Sequence, residues 1–297
     1  MPSLYSQIAL NKRHSLLLVL LVLALVIGAV ALYSYAVRGD FVLPIAAAVL
    51  AIPSSLIGYY GGDKIALASN RAHAVSESQT PELHTIVENL AITAGVPKPN
   101  LYLINSPALN AFATGRDPAH ASIAVTTGLI ERLDRSELEG VLAHELSHVR
   151  NYDIRFATLV AVFVGFIVIL SDLFTRSMFW SGGRRRGASR EDSQTGAIFA
   201  IIGVILLIVS PVVAKLIQLA ISRQREFLAD SSGVLLTRYP DGLASALEKI
   251  SAGPALNTAG HATAHLFIAN PFKARSFANL FATHPPVEER IRRLRNL

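Results

Sequence analysis

Residues 143–148 read Ala143-His144-Glu145-Leu146-Ser147-His148, and this run decides the fold around it and the chemistry it carries. Histidines at i and i+4 of a helix stand one above the other on one face, so both imidazoles reach a single ion. Glu145 lies between them and is free to act as general base toward a water activated by that ion, the pattern of a zinc hydrolase. Upstream, Ser136 and Glu139 have the spacing of a capping box. They predict a helix that opens at Ser136 and carries both histidines about two turns inside, on a rigid element.

The remaining donor must come from elsewhere. The chain has no cysteine, which excludes disulfides and thiolate sites, so a metal is held by His, Asp or Glu. A catalytic zinc takes three protein donors and keeps a position for water. Residues 222–230 contain Glu226 and Asp230, carboxylates at i and i+4 of a predicted helix. One of the two binds the ion, and the other accepts the free ring N–H of a ligand histidine and sets its tautomer. A second i,i+4 pair, His261 and His265, lacks an intervening glutamate and sits among Gly, Ala and Thr, so it reads as loop.

Composition places this chemistry at a membrane. Of 297 residues, 52% are hydrophobic and 16% charged, against about 25% charged in an average soluble domain; mean hydropathy is +0.43. The net charge of +6 does not indicate nucleic acid, because the cations flank apolar runs instead of forming a stripe with aromatics. Ser15–Val37 and Phe41–Gly62 are uncharged and long enough for a bilayer core of about 30 Å. Phe156–Ser171 covers about 24 Å, and Ala197–Ala214 continues past Lys215 toward Ser222. Four spans put Lys12, Arg13, Lys64, Arg71, Arg150, Arg155, Arg223 and Arg225 on one side, which the positive-inside rule makes cytoplasmic. Arg176, Arg184, Arg185, Arg186 and Arg190 fall on the other side, offset in part by Glu191 and Asp192.

Four blocks follow: an N-terminal transmembrane hairpin (1–64), a first catalytic part with the histidine helix (65–155), a second hairpin (156–222) with a loop at 175–196 rich in Gly, Arg and Ser, and a second catalytic part (223–297). In the first catalytic part, Thr80-Pro81 opens an amphipathic helix with Leu83, Ile86, Val87, Leu90 and Ala91 on one face, ended by Gly95-Val96-Pro97. Leu101–Ile104 and Ser122–Thr126 read as short strands. The expected fold is a mainly α integral membrane protein with about four transmembrane helices and an α+β, zincin-like catalytic domain at the membrane face. Phe156 follows His148 by about 12 Å of helix, and Glu226 follows Ile221 by about 7.5 Å, so the metal is expected just above the bilayer surface.

The ordered set of motifs resembles the HtpX family of membrane-bound zinc endopeptidases, related to the CaaX-prenyl endopeptidases. It comprises Ala94-Gly95-Val96-Pro97, Asn110-Ala111-Phe112-Ala113-Thr114-Gly115, Thr126-Thr127-Gly128-Leu129, His144–His148 with Asn151 and Asp153, Arg225-Glu226-Phe227 with Ala229-Asp230, and Thr283-His284-Pro285-Pro286-Val287-Glu288-Glu289-Arg290. The resemblance implies one zinc per chain held by His144, His148 and Glu226 in a gluzincin-like site. It implies Glu145 as base and then acid, Asp230 as partner of a ligand histidine, His284 as stabiliser of the oxyanion, and Asn110 as a substrate contact. Ser122–Thr126 would be an edge strand that pairs with an extended substrate. The implied function is cleavage of misfolded or damaged membrane proteins in the cytoplasmic membrane, with the bilayer and unfolded chains as partners and no nucleic acid. The alternatives are a protease for a dedicated lipid-anchored substrate and a non-proteolytic scaffold with a structural zinc. Oligomeric state is not legible in the sequence.

Overall fold

The computed structural model describes residues 4–37, 42–165, 223–256, 259, 262–271 and 285–297. Helices α1 (Leu4–Val37) and α2 (Val42–Ser69) pack along one another and contain the first two apolar runs, apart from Phe41. Among the residues whose side chains are described, no helix is long and apolar enough to cross a membrane. Residues 153–165 are helical, and Phe156, Leu159, Val160 and Phe163 pack with Leu18 of α1. The rest of the expected second hairpin, with the loop at 175–196, lies outside the described residues.

A four-stranded mixed sheet forms one layer of the polar part, in the order β1 (His73–Ala74), β2 (Asn100–Ile104), β4 (Ala121–Thr126), β3 (Ala111–Gly115). β2 and β4 run parallel with Asn100 opposite Ser122, and β3 runs antiparallel to β4 with Phe112 opposite Ala124. β4 is therefore an inner strand, bonded on both edges, and the expectation that Ser122–Thr126 forms the sheet edge is corrected: β1 and β3 are the edge strands. The apolar, β-branched Ile123 and Val125 suit a doubly covered strand, and all six residues of β4 are buried. The free side of β3 is engaged at one end, where Phe267 bridges Phe112 and the Ile268 N–H donates to Ala111 O at 3.0 Å.

Helix α3 (Pro81–Ala94) starts as expected at Thr80-Pro81, since proline at the first helical position loses no hydrogen bond. It stops at Gly95, whose φ of 67° is left-handed and whose N–H returns to the last carbonyls. Leu83, Ile86, Val87, Leu90 and Ala91 are all buried, and this face lies against α5 (Arg135–Arg150). After the short α4 (Thr127–Arg132), α5 opens at Asp134 and not at Ser136. Asp134 accepts from the Glu137 N–H at 2.9 Å, and Glu137 Oε2 accepts from the Asp134 N–H at 2.9 Å. Ser136 instead donates to Asp134 Oδ1, and Glu139 pairs with Arg135. A carboxylate two residues upstream supplies the stronger acceptor and places negative charge at the positive helix start.

Helix α5 is the centre of the domain. α6 (Arg223–Thr237) and α7 (Pro240–Ala252) both pack on it, and α8 (Val287–Leu294) closes over α7 and α6. The approach of α6 is tight at Gly233, where a Cβ would lie 3.1 Å from the His144 backbone nitrogen. That absence of a side chain lets the carboxylates of α6 reach the histidines of α5.

Candidate metal centre

The first ring nitrogen of each histidine is held by a carboxylate. His144 Nδ1 lies 2.9 Å from Asp230 Oδ1, and His148 Nδ1 lies 3.0 Å from Asp153 Oδ2. Each Nδ1 thus faces its carboxylate as a donor, so that in the neutral imidazole the lone pair lies on Nε2. The two Nε2 atoms face one another at 3.2 Å. Glu226 completes a triangle: its Oε2 is 3.8 Å from His144 Nε2 and its Oε1 is 3.6 Å from His148 Nε2. Among the described residues these three form the one cluster with donors close enough to hold a metal ion, all within 4.8 Å of one another. A tetrahedral zinc with bonds of about 2.0–2.1 Å requires donor separations of about 3.3–3.4 Å. The donor set, all nitrogen and oxygen, and its spacing fit that ion.

The donors and Glu145 line a cavity of about 40 Å³, room for an ion and a water, each water needing about 10–15 Å³. Ala113 of β3 and the segment around Phe267 form other walls. Burial pushes Glu145 up to about 7; His148 opposes that shift, Glu226 adds to it, and a backbone hydrogen bond from Ala113 opposes it. Burial alone would lower His148, but the hydrogen bond to Asp153 and the charges of Glu226, Asp153 and Glu145 outweigh it and raise the imidazole to about 9. His144 is lowered, by burial first, with the nearby Arg290 adding to it against the pull of Asp230. A site so rich in negative charge favours a cation at its centre.

Of the residues expected from sequence, His144, Glu145, His148, Glu226 and Asp230 come together here. The choice left open between Glu226 and Asp230 is resolved in position: Glu226 faces both Nε2 atoms, whereas Asp230 faces Nδ1 of His144. Asn110 is buried at the end of the sheet, where its amide donates to Ala269 O at 3.0 Å and its Oδ1 accepts from the Ala111 N–H. His284 and His261 lie outside the described residues. His265, read as loop, lines the cavity and faces Ala157 O at 3.0 Å. Two residues of the site were quoted in motifs but given no role. Asp153 holds His148 from five residues downstream, a separation that reaches back only because Asn151 and Tyr152 form a turn after α5. Arg290 of α8 is 1% exposed and donates to Asp230 from Nε at 2.9 Å and from Nη2 at 2.7 Å. The repeated charges of Glu288-Glu289-Arg290 look like a solvated face, and nothing in that run marks the arginine as buried.

A histidine pair one turn apart, a glutamate between them and a third donor from a second helix define a metalloprotease site of the HExxH type. Residues 77–297 match the model of peptidase family M48. A protein described as a protease HtpX homolog from Caldanaerobacter subterraneus subsp. tengcongensis is 51% identical over 251 residues, covering 84% of this chain and 83% of its own length. A protease HtpX homolog from Streptococcus uberis is 41% identical over 297 residues, covering 99% of this chain and all of its own length. The chain belongs to peptidase family M48, in its HtpX group, and is a metalloprotease of that family. Its fold is also similar to the crystal structure of S. mikatae Ste24p, with a TM-score of 0.51 at 20% identity. That match covers 94% of this chain and 65% of the other.

Proposed function

We propose that this protein is a membrane-bound zinc endopeptidase that cleaves misfolded or damaged membrane proteins. The observation that carries the reading is the convergence of two carboxylate-held imidazoles and Glu226 within 4.8 Å beside the buried Glu145. His144, His148 and Glu226 hold one zinc. Bound there, the ion supplies Lewis acidity toward a water and a scissile carbonyl. Glu145, buried beside the three donors, takes the proton of the attacking water and returns it to the leaving amine. Asp230 and Asp153 keep each imidazole in the tautomer that presents Nε2. Asn110 as a substrate contact and His284 as a donor to the oxyanion complete the assignment. A scaffold role with structural zinc fits less well, because structural zinc closes on four protein donors and three gather here among the described residues.

The membrane part of the proposal rests on the N-terminal hairpin. Leu16, Leu17, Leu20 and Leu21 of α1 and Ile45, Val49, Leu56 and Ile57 of α2 are all exposed. Exposed apolar side chains in such number are unfavourable in water and favourable in lipid. Together with the apolar runs beyond residue 155, it supports a multi-pass protein of the cytoplasmic membrane. In the order proposed, the two hairpins (1–64 and 156–222) alternate with the two catalytic parts (65–155 and 223–297), and the catalytic parts face the cytoplasm.

The test compares wild type with Glu145→Gln on an unfolded protein substrate, with zinc measured in both. Zinc near one per chain in each, and cleavage by wild type alone, is the expected result. Cleavage that survived Glu145→Gln would overturn the mechanism.

A further inference from the structure

The imidazole of His148 is held through Asp153, and the far oxygen of that carboxylate is held by a residue from the opposite end of the sequence. Asn11, on the polar N-terminal stretch of α1, is 3% exposed. Its amide donates both hydrogens: one to Asp153 Oδ1 at 2.7 Å and one to Asn151 O at 2.9 Å. The acceptors flank Tyr152: Asn151 lies in the turn that follows α5, and Asp153 opens the helical segment 153–165. Around this contact α1 is fastened to the turn and to the helix after it, with Lys12 over the Tyr152 ring at 4.3 Å and Leu18 packed against Phe156.

From this relay we infer that Asn11 is a positioning residue of the metal centre, acting on His148 through Asp153, so that the first helix is part of the catalytic apparatus as well as its anchor. The inference rests on the reading of His148 as a metal donor. Asp153 is a buried carboxylate and needs a donor on each oxygen. His148 Nδ1–H supplies Oδ2, and Asn11 supplies Oδ1. The Arg225 Nε lies 4.0 Å from the same Oδ1, too far for a hydrogen bond but near enough to attract it. With Asn11 in place the carboxylate is pinned in the rotamer that serves His148. Without the amide, Oδ1 turns toward Arg225 and the grip of Oδ2 on the imidazole loosens. Asn11 acts one bond further from the ion than the groups whose loss typically weakens metal binding about 10–100-fold.

The experiment uses the full chain in detergent. Zinc affinity is read by competition with a chelator of known strength, and kcat and KM are read on an unfolded protein. Asn11→Leu, close in size and without the amide, is expected to weaken zinc binding roughly 3–10-fold, below the effect of losing a direct partner, and to lower kcat more than it raises KM. In an Asp153→Asn background the same substitution is expected to add little, because the relay is already broken. Lys12→Met, which removes the cation from the Tyr152 ring while leaving Asn11 in place, is the control for helix docking and should keep wild-type zinc affinity. If Asn11→Leu does not fold, Asn11→Ser, which retains a short donor, should show a smaller loss of the same kind. Wild-type affinity in the Asn11 variants, or losses that simply add to those of Asp153→Asn, would overturn the inference while leaving the metal centre intact. A wild-type protein that bound no zinc would overturn the metal centre and this inference together.

Discussion

Arg290 grips Asp230 with two nitrogens, Nε at 2.9 Å and Nη2 at 2.7 Å, and neither side chain reaches solvent to any extent. The third nitrogen of the guanidinium donates to Ile268 O at 3.0 Å. This pair joins α8 to α6, and through Asp230 it reaches His144 on α5. Burial alone would raise the carboxyl of Asp230, yet Arg290 and His144 hold it below the usual carboxylate range. Arg290→Met leaves that charge buried without its partner, and such losses cost about 3–5 kcal/mol. Chemical denaturation of zinc-free protein should show a loss of this size. Arg290→Lys should recover little of it, because an ammonium cannot reproduce the two-pronged contact.

Gly233 sets the distance between α6 and α5. A methyl group there would meet the His144 backbone nitrogen at 3.1 Å, and backbone inside a helix yields poorly. Gly233→Ala is expected to destabilise by about 1–3 kcal/mol despite the better helix propensity of alanine. It should also weaken zinc binding, since Glu226 and Asp230 ride on the displaced helix. Unchanged stability and zinc affinity in this variant would show that the crossing is not tight.

Removing the metal gives a direct measure of the three-donor assignment. A ligand at 100 times its Kd stabilises the native state by about 2.7 kcal/mol. Chelation should therefore lower the Tm of wild type, and zinc should restore it. Glu226→Ala should melt at the same temperature with and without chelator, whereas Glu145→Gln should respond as wild type does.

The N-cap of α5 makes a pH-dependent contribution. Asp134 is held below its usual 3.8, chiefly by the backbone hydrogen bond from Glu137, with Ser136 adding a second. A depressed carboxyl contributes stability that is fully present above its unfolded value and is lost as pH falls through the lower folded value. Asp134→Ala should cost about 1 kcal/mol at neutral pH. The gap between variant and wild type should close in acid below 3.8. A gap that persisted unchanged there would assign the effect to packing instead.

Periodicity and capping made much of this protein legible in one dimension. The buried face of α3, its Pro81 start and Gly95 stop, and the i,i+4 pairs on α5 and α6 all follow from local rules about which residues share a helix face. Local rules also misplaced the cap of α5, where Asp134 outcompeted a hydroxyl two residues further on. They misplaced the sheet edge as well, since a short apolar run reads the same whether one or both of its edges are paired. β3 was legible only as a motif, because Ala111-Phe112-Ala113-Thr114-Gly115 has little of the usual strand composition.

The sequence by itself determined the chemistry: two histidines one turn apart with a glutamate between them, and a carboxylate pair on a later helix, because spacing along a helix is spacing in space. Tertiary structure alone decided which carboxylate faces which nitrogen, and that Arg290 and Asn11 stand behind Asp230 and Asp153. Those contacts join residues 60 and 142 positions apart. Side chains that far separated along the chain meet through the packing of whole helices, and no pattern within either segment encodes the meeting.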